Sequence, residues 1–117
     1  MDDIVRTAEQ VITLARVRDY VAAMSPVDLN DPEALSSDLT EARALLAEVA
    51  ATVTQPTTDD VERLAEQILT LEAVRALVSE YTHVPAADTG RLLGHLMATE
   101  VQLIEVNGVF GESEHTA

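Results

Sequence analysis

The sequence contains no cysteine, no lysine and no tryptophan, and aromatic residues make up only 3% of its 117 residues. The lack of cysteine excludes disulfides and thiolate metal sites. With so few aromatic rings, a core must be built from leucine, valine, isoleucine and alanine, a composition that suits helices packed against helices. Hydrophobic residues nevertheless make up 47% of the chain, which is too many for a disordered acidic tail.

Basic residues are scarce. The chain has 7 arginines and 21 acidic residues, so its net charge is −14. Such a surface repels phosphate backbones, so we expect no direct binding of nucleic acid. A coding bias toward arginine and a high-salt environment explain the acidity equally well, and neither of them is a function.

Long apolar runs are also absent, and none approaches the roughly 18 residues that a membrane span needs. We therefore expect no membrane partner. The residues Met1, Asp2 and Asp3 carry the wrong charge for a secretory signal. The expected location is the cytoplasm, or an assembly formed there. The length predicts a single domain over 1–117.

An internal repeat is the strongest signal in the chain. A shift of 57 residues places 2–50 on 59–107 without a gap, and 18 of the 49 pairs are identical. A random shift of this composition would give about 4 identities. The sequence therefore predicts one hairpin repeat over 2–54, a second over 59–107, and a flexible tail over 108–117.

Each repeat has the pattern of a helix, a turn and a second helix. The first helix is predicted over 2–24 and its copy over 59–81. Asp31, followed by a proline, is a good start for the second helix, and Asp88 repeats this cap in the second repeat. We expect Thr57 or Thr58 to cap the third helix, and Asn107-Gly108 to end the fourth.

The second helix of each repeat carries a clean apolar seam with spacings of three and four residues. The two seams are Leu35, Leu39, Ala42, Leu46, Val49 and Val53, and their copies Leu92, Leu96, Thr99, Leu103, Val106 and Phe110. One hairpin cannot cover its own seam, so the two should close face to face. The predicted fold is an all-α four-helix bundle of two tandem hairpins related by a pseudo-twofold axis.

Catalytic and metal-binding patterns are missing. No nucleophile–base pair, glycine-rich phosphate loop or ligand cluster occurs, so we predict no enzyme, no cofactor and no metal. A di-iron bundle could use the repeated carboxylates Glu9, Glu48, Glu66 and Glu105. Glu48 and Glu105, however, lie half a turn away from the seam of the second helices, and no Glu-x-x-His motif occurs in the sequence. The three histidines (His83, His95 and His115) have no copies and are expected on the surface.

Polar residues continue the seam of each first helix toward its start. Two interpretations remain open: a polar layer that fixes the register of the bundle, which we favour, or a symmetric polar pocket. The residues concerned are Arg6, Gln10, Thr13 and their copies Arg63, Gln67, Thr70.

The repeats differ most along one flank of their second helices. The small or mildly polar residues Ser36, Thr40, Ala44 and Ala47 correspond to Leu93, Met97, Val101 and Ile104. A second apolar line follows the first helix at Ile4, Ala8, Val11 and Ala15, and Val61, Ala65 and Ile68 begin the same line on the third. Either the bundle buries more of the fourth helix internally, under Val109 and Phe110, or the flank binds protein. We favour the second interpretation.

The sequence thus predicts a non-enzymatic protein-interaction or assembly module that binds through the apolar flank of the fourth helix. Its setting would be a homo-oligomer, an adaptor or a structural component of a virus particle. The alternative is an acidic inhibitor that mimics nucleic acid and blocks a DNA- or RNA-binding protein. Such a mimic should carry rows of carboxylates at phosphate-like spacing. The charge is instead spread evenly, −6 over 1–57 and −8 over 58–117.

Overall fold

The computed structural model describes residues 2–24, 30–85 and 87–111. These residues form four helices and no strand: α1 (Asp2–Ala23), α2 (Pro32–Thr52), α3 (Val61–Ser79) and α4 (Thr89–Gly111). The prediction of an all-α four-helix bundle is confirmed. None of these helices, as far as they are described, combines the length and hydropathy that crossing a membrane requires.

Aspartates start three of the helices. An Oδ1 atom of Asp31 accepts a hydrogen bond from the Ala34 amide at 3.1 Å, and Asp88 accepts one from the Arg91 amide at 3.2 Å. The prediction that Thr57 or Thr58 caps α3 is wrong. Asp60 is the cap and accepts from the Glu62 amide at 3.0 Å, because its carboxylate directly precedes the first free amides. Thr58 instead accepts a hydrogen bond from the Asp60 amide.

The ends of the helices differ from the predicted ones by a few residues. α4 does not end at Asn107-Gly108 but continues to Gly111, and no described residue has a positive φ. The reason is burial, since Phe110 is only 3% exposed and extends the apolar seam by one more turn. Residues 112–117 of the predicted tail lie outside the described residues.

The second helices of the two hairpins form the centre of the bundle. α2 and α4 contact each other, and α1 and α3 each contact both of them. Among the described residues α1 and α3 do not contact each other, so they lie on opposite sides of the central pair. Exchanging the hairpins leaves this pattern unchanged, as a pseudo-twofold axis would require. Superposition of the hairpins by a rotation near 180° stays a prediction.

The core is built from the two predicted seams. All twelve seam residues are buried, and the equivalent residues Leu39 and Leu96 are 4% and 0% exposed. Val17 of α1 and Leu71 and Val74 of α3 complete this cluster from the two sides. Each fully buried leucine contributes about 1.5–3 kcal/mol, so the seams account for most of the apolar stabilisation of the fold.

Candidate interaction surface and acidic cavity

The flank of α4 that differs between the repeats faces away from the core. Met97, Val101 and Ile104 are 56%, 59% and 45% exposed, whereas Leu93 is half-buried and packs against the core cluster. We call the four residues Leu93, Met97, Val101 and Ile104 the α4 strip. Burial within the chain therefore accounts for Leu93 in part, but not for the other three side chains.

The apolar line on α1 is exposed as well, and α1 contacts α4. Ile4 and Val11 are 72% and 61% exposed. A cavity of about 270 Å³ lies where the two helices meet, and Val11, Leu14, Val106 and Phe110 contribute its apolar walls. The α1 line borders this cavity at Val11, whereas no residue of the α4 strip lines it.

The line that begins on α3 is also exposed. Val61 and Ile68 are 77% and 41% exposed, and Ala65 is exposed between them. Because α3 contacts α4 on the side opposite to α1, this line does not join the line on α1.

The polar layer is ordered in the second hairpin. Gln67 is fully buried, and its Oε1 accepts from the Thr57 amide at 2.7 Å while its Nε2 donates to the Val109 carbonyl at 2.9 Å. The buried Thr70 hydroxyl donates to Glu105 at 3.3 Å. Arg63 is half-buried, and its Nη2 atom lacks a hydrogen-bond partner in the described part of the chain.

The copies of these residues in the first hairpin have a different environment. Thr13 is buried and accepts a hydrogen bond from the Thr52 hydroxyl at 2.9 Å. Gln10 is half-buried at the edge of the cavity between α1 and α4, and Arg6 is exposed. Since α1 and α3 make no contact, the structure does not bring the two sets of polar residues into one symmetric pocket.

A larger cavity of about 610 Å³ lies between α1 and α2, and sequence reasoning missed it. Tyr20, Met24 and Leu45 contribute apolar surface to it. Its charged lining consists of Arg16 and the five acidic residues Asp19, Asp38, Glu41, Glu48 and Glu100. Such a surplus of carboxylates makes the cavity strongly electronegative.

Two side-chain contacts organise this cavity. Both oxygens of Glu48 accept from Arg16 Nη1, at 2.9 and 3.0 Å, so this repeated glutamate forms an ion pair between α1 and α2. The Tyr20 hydroxyl donates to Glu100 at 2.9 Å. Burial, and then the hydrogen bond and the negative charge of Glu100, raise the pKa of Tyr20 well above its usual value.

The equivalent place in the second hairpin holds a packed cluster instead of a cavity. The 57-residue shift carries Met24 and Asp38 to Tyr81 and His95, and it carries Arg43 to Glu100. The Arg43 guanidinium lies 4.4 Å from the centre of the Tyr81 ring, in cation–π geometry. Desolvation by burial raises the pKa of Tyr81, and its hydrogen bond to Thr99 and the Arg43 charge oppose this effect.

Hydrogen bonds hold Arg43 at this position. Its Nη1 donates to the Thr82 carbonyl at 2.8 Å, and its Nη2 contacts His95 Nδ1 at 2.7 Å. Because arginine can only donate, Nδ1 of His95 is the acceptor in this contact. His95, which was expected on the surface, is half-buried, and its ring contacts Arg43. His83 is exposed, and His115 lies outside the described residues.

The repeated carboxylates do not converge. Glu48 contacts Arg16, Glu105 accepts from Thr70 and Gln102, and Glu9 and Glu66 are exposed. Within 2–24, 30–85 and 87–111, no three acidic or histidine side chains lie close enough together to hold a metal ion.

Comparison with known proteins gives no relative from which a role could be inferred: no family model, curated protein or solved structure matches the chain.

Proposed function

We propose that the chain is a non-enzymatic protein-interaction or assembly module that binds through the α4 strip. One observation carries this proposal. Three successive large apolar side chains of the strip are about half exposed, whereas a monomeric protein rarely leaves contiguous apolar surface of several hundred Å² in water.

The difference between the repeats supports this role for the α4 strip. At the equivalent flank of α2 the chain has Thr40, Ala44 and Ala47, which are smaller or more polar. A bundle of this kind therefore does not need large apolar side chains at the flank. The settings that fit are a homo-oligomer, an adaptor or a structural component of a larger particle assembled in the cytoplasm.

The acidic inhibitor remains the second candidate, and the cavity between α1 and α2 is the observation in its favour. Five carboxylates gathered at one place would attract a basic side chain of a DNA- or RNA-binding protein. They surround a cavity, however, and do not form the long rows that would imitate a phosphate backbone.

The double variant Met97→Thr/Val101→Ala tests the leading proposal, because it restores at both positions the residues of the first repeat. We expect a lower sedimenting mass than that of the unmodified chain, with nearly unchanged circular dichroism. The control variant Ile12→Thr/Leu69→Ala removes exposed apolar surface from α1 and α3 outside the α4 strip, and it should leave the mass unchanged. If Met97→Thr/Val101→Ala unfolds while the unmodified chain is a monomer, the strip belongs to the internal core and the proposal fails.

A further inference from the structure

We propose that the α4 strip is covered by a second copy of this chain, which packs antiparallel to the first with a twofold axis near Val101. This inference rests on the proposed function and specifies its partner. Four observations bear on it: glycines that the fold does not require, the order of residues along α4, the area of the face, and the engagement of the nearby carboxylates.

The first observation concerns Gly90, Gly94 and Gly108, which lie on the same outward side of α4 as the strip. A Cβ atom added at any of the three would meet nothing within 4 Å, and none of them has a positive φ. Glycine inside a helix costs about 0.5–1 kcal/mol relative to alanine. Neither packing within the chain nor backbone geometry explains this cost, whereas close approach of another helix does.

The second observation is the order of residues along the outward side of α4. The line contains Gly90, Gly94, Met97, Val101, Ile104, Gly108 and Gly111, with alternating spacings of four and three residues. Its large side chains lie in the middle and its glycines at both ends, so the line is similar in both directions around Val101. In an antiparallel pair with full overlap, Val101 meets its own copy and Met97 meets Ile104 of the second copy. Such a self-complementary surface is what a twofold interface requires.

The third observation is the available area. α4 has 23 residues, so at about 1.5 Å per residue it is about 35 Å long. A face about 10 Å wide would then bury about 700 Å² over both copies, below the roughly 1,200 Å² of a stable dimer. The α1 line adds little to this area, because Val11 lies beside Phe110 near the end of α4 and away from an axis at Val101. The dimer should therefore be weak and depend on protein concentration.

The fourth observation concerns charge. The two carboxylates in the central part of α4 form hydrogen bonds within the chain, Glu100 with Tyr20 and Glu105 with Thr70 and Gln102. Met97, Val101 and Ile104 in the middle of the line carry no charge, although Glu100 and Glu105 flank them. The remaining obstacle is the net charge of −14 on each copy. This repulsion is screened by salt, so the dimer should become tighter as ionic strength increases.

Sedimentation velocity from about 0.05 M to about 1 M salt tests the identity of the partner, because screening changes over this range. We expect the fraction of dimer to rise with salt at constant protein concentration. A chain that stays monomeric at every salt concentration overturns the inference, and the strip would then need a partner of different sequence. A dimer that weakens with salt also overturns it, since attraction between charged groups would then hold the copies together.

Single cysteines test the geometry, because the chain contains none of its own. Val101→Cys should form a disulfide-linked dimer under mild oxidation. Thr40→Cys, at the exposed position of α2 that is equivalent to Met97, is the control and should remain monomeric. A mixture of Met97→Cys and Ile104→Cys should cross-link at least tenfold faster than either variant alone.

The outcomes separate this inference from the proposed function. If Met97→Cys and Ile104→Cys each cross-link efficiently alone, the copies are parallel or shifted and the inference is wrong. The proposed function would still stand in that case, provided that Met97→Thr/Val101→Ala lowers the sedimenting mass. If that variant leaves the mass of a dimeric chain unchanged, the dimer forms elsewhere and both fail. Circular dichroism of each cysteine variant excludes unfolding as the cause.

Discussion

The two hairpins share a core and differ at their flanks. Both seams are fully buried, and the residues that fill them are identical at Leu35/Leu92, Leu39/Leu96 and Leu46/Leu103. Outside the seams the hairpins differ. The first hairpin has an open acidic cavity between α1 and α2, whereas the second has a packed cluster of Arg43, Tyr81 and His95. The core tolerates little change because close-packed side chains must interdigitate, while a flank has no such constraint.

The outward flanks of the second helices also differ, and here the second hairpin has the larger apolar side chains. On α2 this flank carries small residues such as Thr40 and Ala44, and on α4 it carries Met97 and Val101. The first hairpin therefore has its distinctive feature in a charged cavity, and the second in an apolar surface. Two copies of one unit within a single chain can in this way supply different surfaces on the same framework.

The largest effect is expected where the hairpins are alike. Leu46→Ala and Leu103→Ala should each lower the free energy of unfolding by about 2–5 kcal/mol, because both side chains are fully buried in equivalent seams. Urea denaturation measured by circular dichroism would give both values under the same conditions. A loss below about 1 kcal/mol at one position, with a large loss at the other, would show that the seams are not equivalent.

The seams could be predicted because they depend on local spacing. Leucines at intervals of three and four residues define a buried helix face wherever the helix packs, and the repeat doubles this signal. The predicted cap at Thr57 or Thr58 and the predicted helix end at Asn107-Gly108 were wrong, because several neighbouring residues could cap or end a helix. Asp60 was the better cap, and Phe110 gave α4 a reason to continue.

The cavity and the cluster could not be predicted, because they join side chains that are far apart in sequence. Arg43 contacts His95 across 52 residues, and Tyr20 contacts Glu100 across 80. No local pattern indicates such pairs. The shift of 57 residues did contain a signal, since it carries Asp38 to His95, which removes a negative charge, and Arg43 to Glu100, which reverses a charge. That signal has meaning only when the neighbouring helices are known.

The next effect concerns the two tyrosines. Tyr20 reports on the acidic cavity and Tyr81 on the packed cluster. Both pKa values are raised, so the folded state binds the phenolic protons more tightly than the unfolded state does. This contribution to stability is fully present below pH 10.0, the ordinary tyrosine pKa, and is lost as the pH rises through the raised values. Stability should therefore fall at alkaline pH.

Single variants assign this alkaline effect. Tyr81→Phe leaves Tyr20 beside Glu100, and Tyr20→Phe leaves Tyr81 beside Arg43. In titrations followed by tyrosinate absorbance, the remaining tyrosine of Tyr81→Phe should ionise at the higher pH, because carboxylates surround it rather than a guanidinium. Ionisation of both tyrosines near pH 10.0 in the folded chain would contradict the contacts described in the acidic cavity and in the packed cluster.

A smaller effect of opposite sign is expected at Gly94. Gly94→Ala should raise the free energy of unfolding of the monomer by about 0.5–1 kcal/mol, since the added methyl group meets no other atom and alanine favours the helix. The same methyl group should weaken the dimer, which sedimentation would detect. Ser37→Ala at the equivalent position of α2 is the control, and it should leave the mass unchanged. A Gly94→Ala dimer as tight as the unmodified one would mean that no helix approaches this glycine.

The smallest effect is expected at the repeated glutamates on the second helices. Glu48 forms an ion pair with Arg16, but the Arg16 side chain is 61% exposed, and exposed pairs contribute little. In the second hairpin, alanine replaces the equivalent of Arg16. Glu105 therefore accepts only hydrogen bonds, from Thr70 and Gln102. Glu48→Ala and Glu105→Ala should therefore each change the free energy of unfolding by at most about 0.5 kcal/mol.

Any loss of stability at Glu48 should shrink in high salt, whereas a loss at Glu105 should not. Denaturation with and without divalent metal ions provides the control. Stability that depends on metal, or a loss of several kcal/mol at either glutamate, would mean that these carboxylates act together.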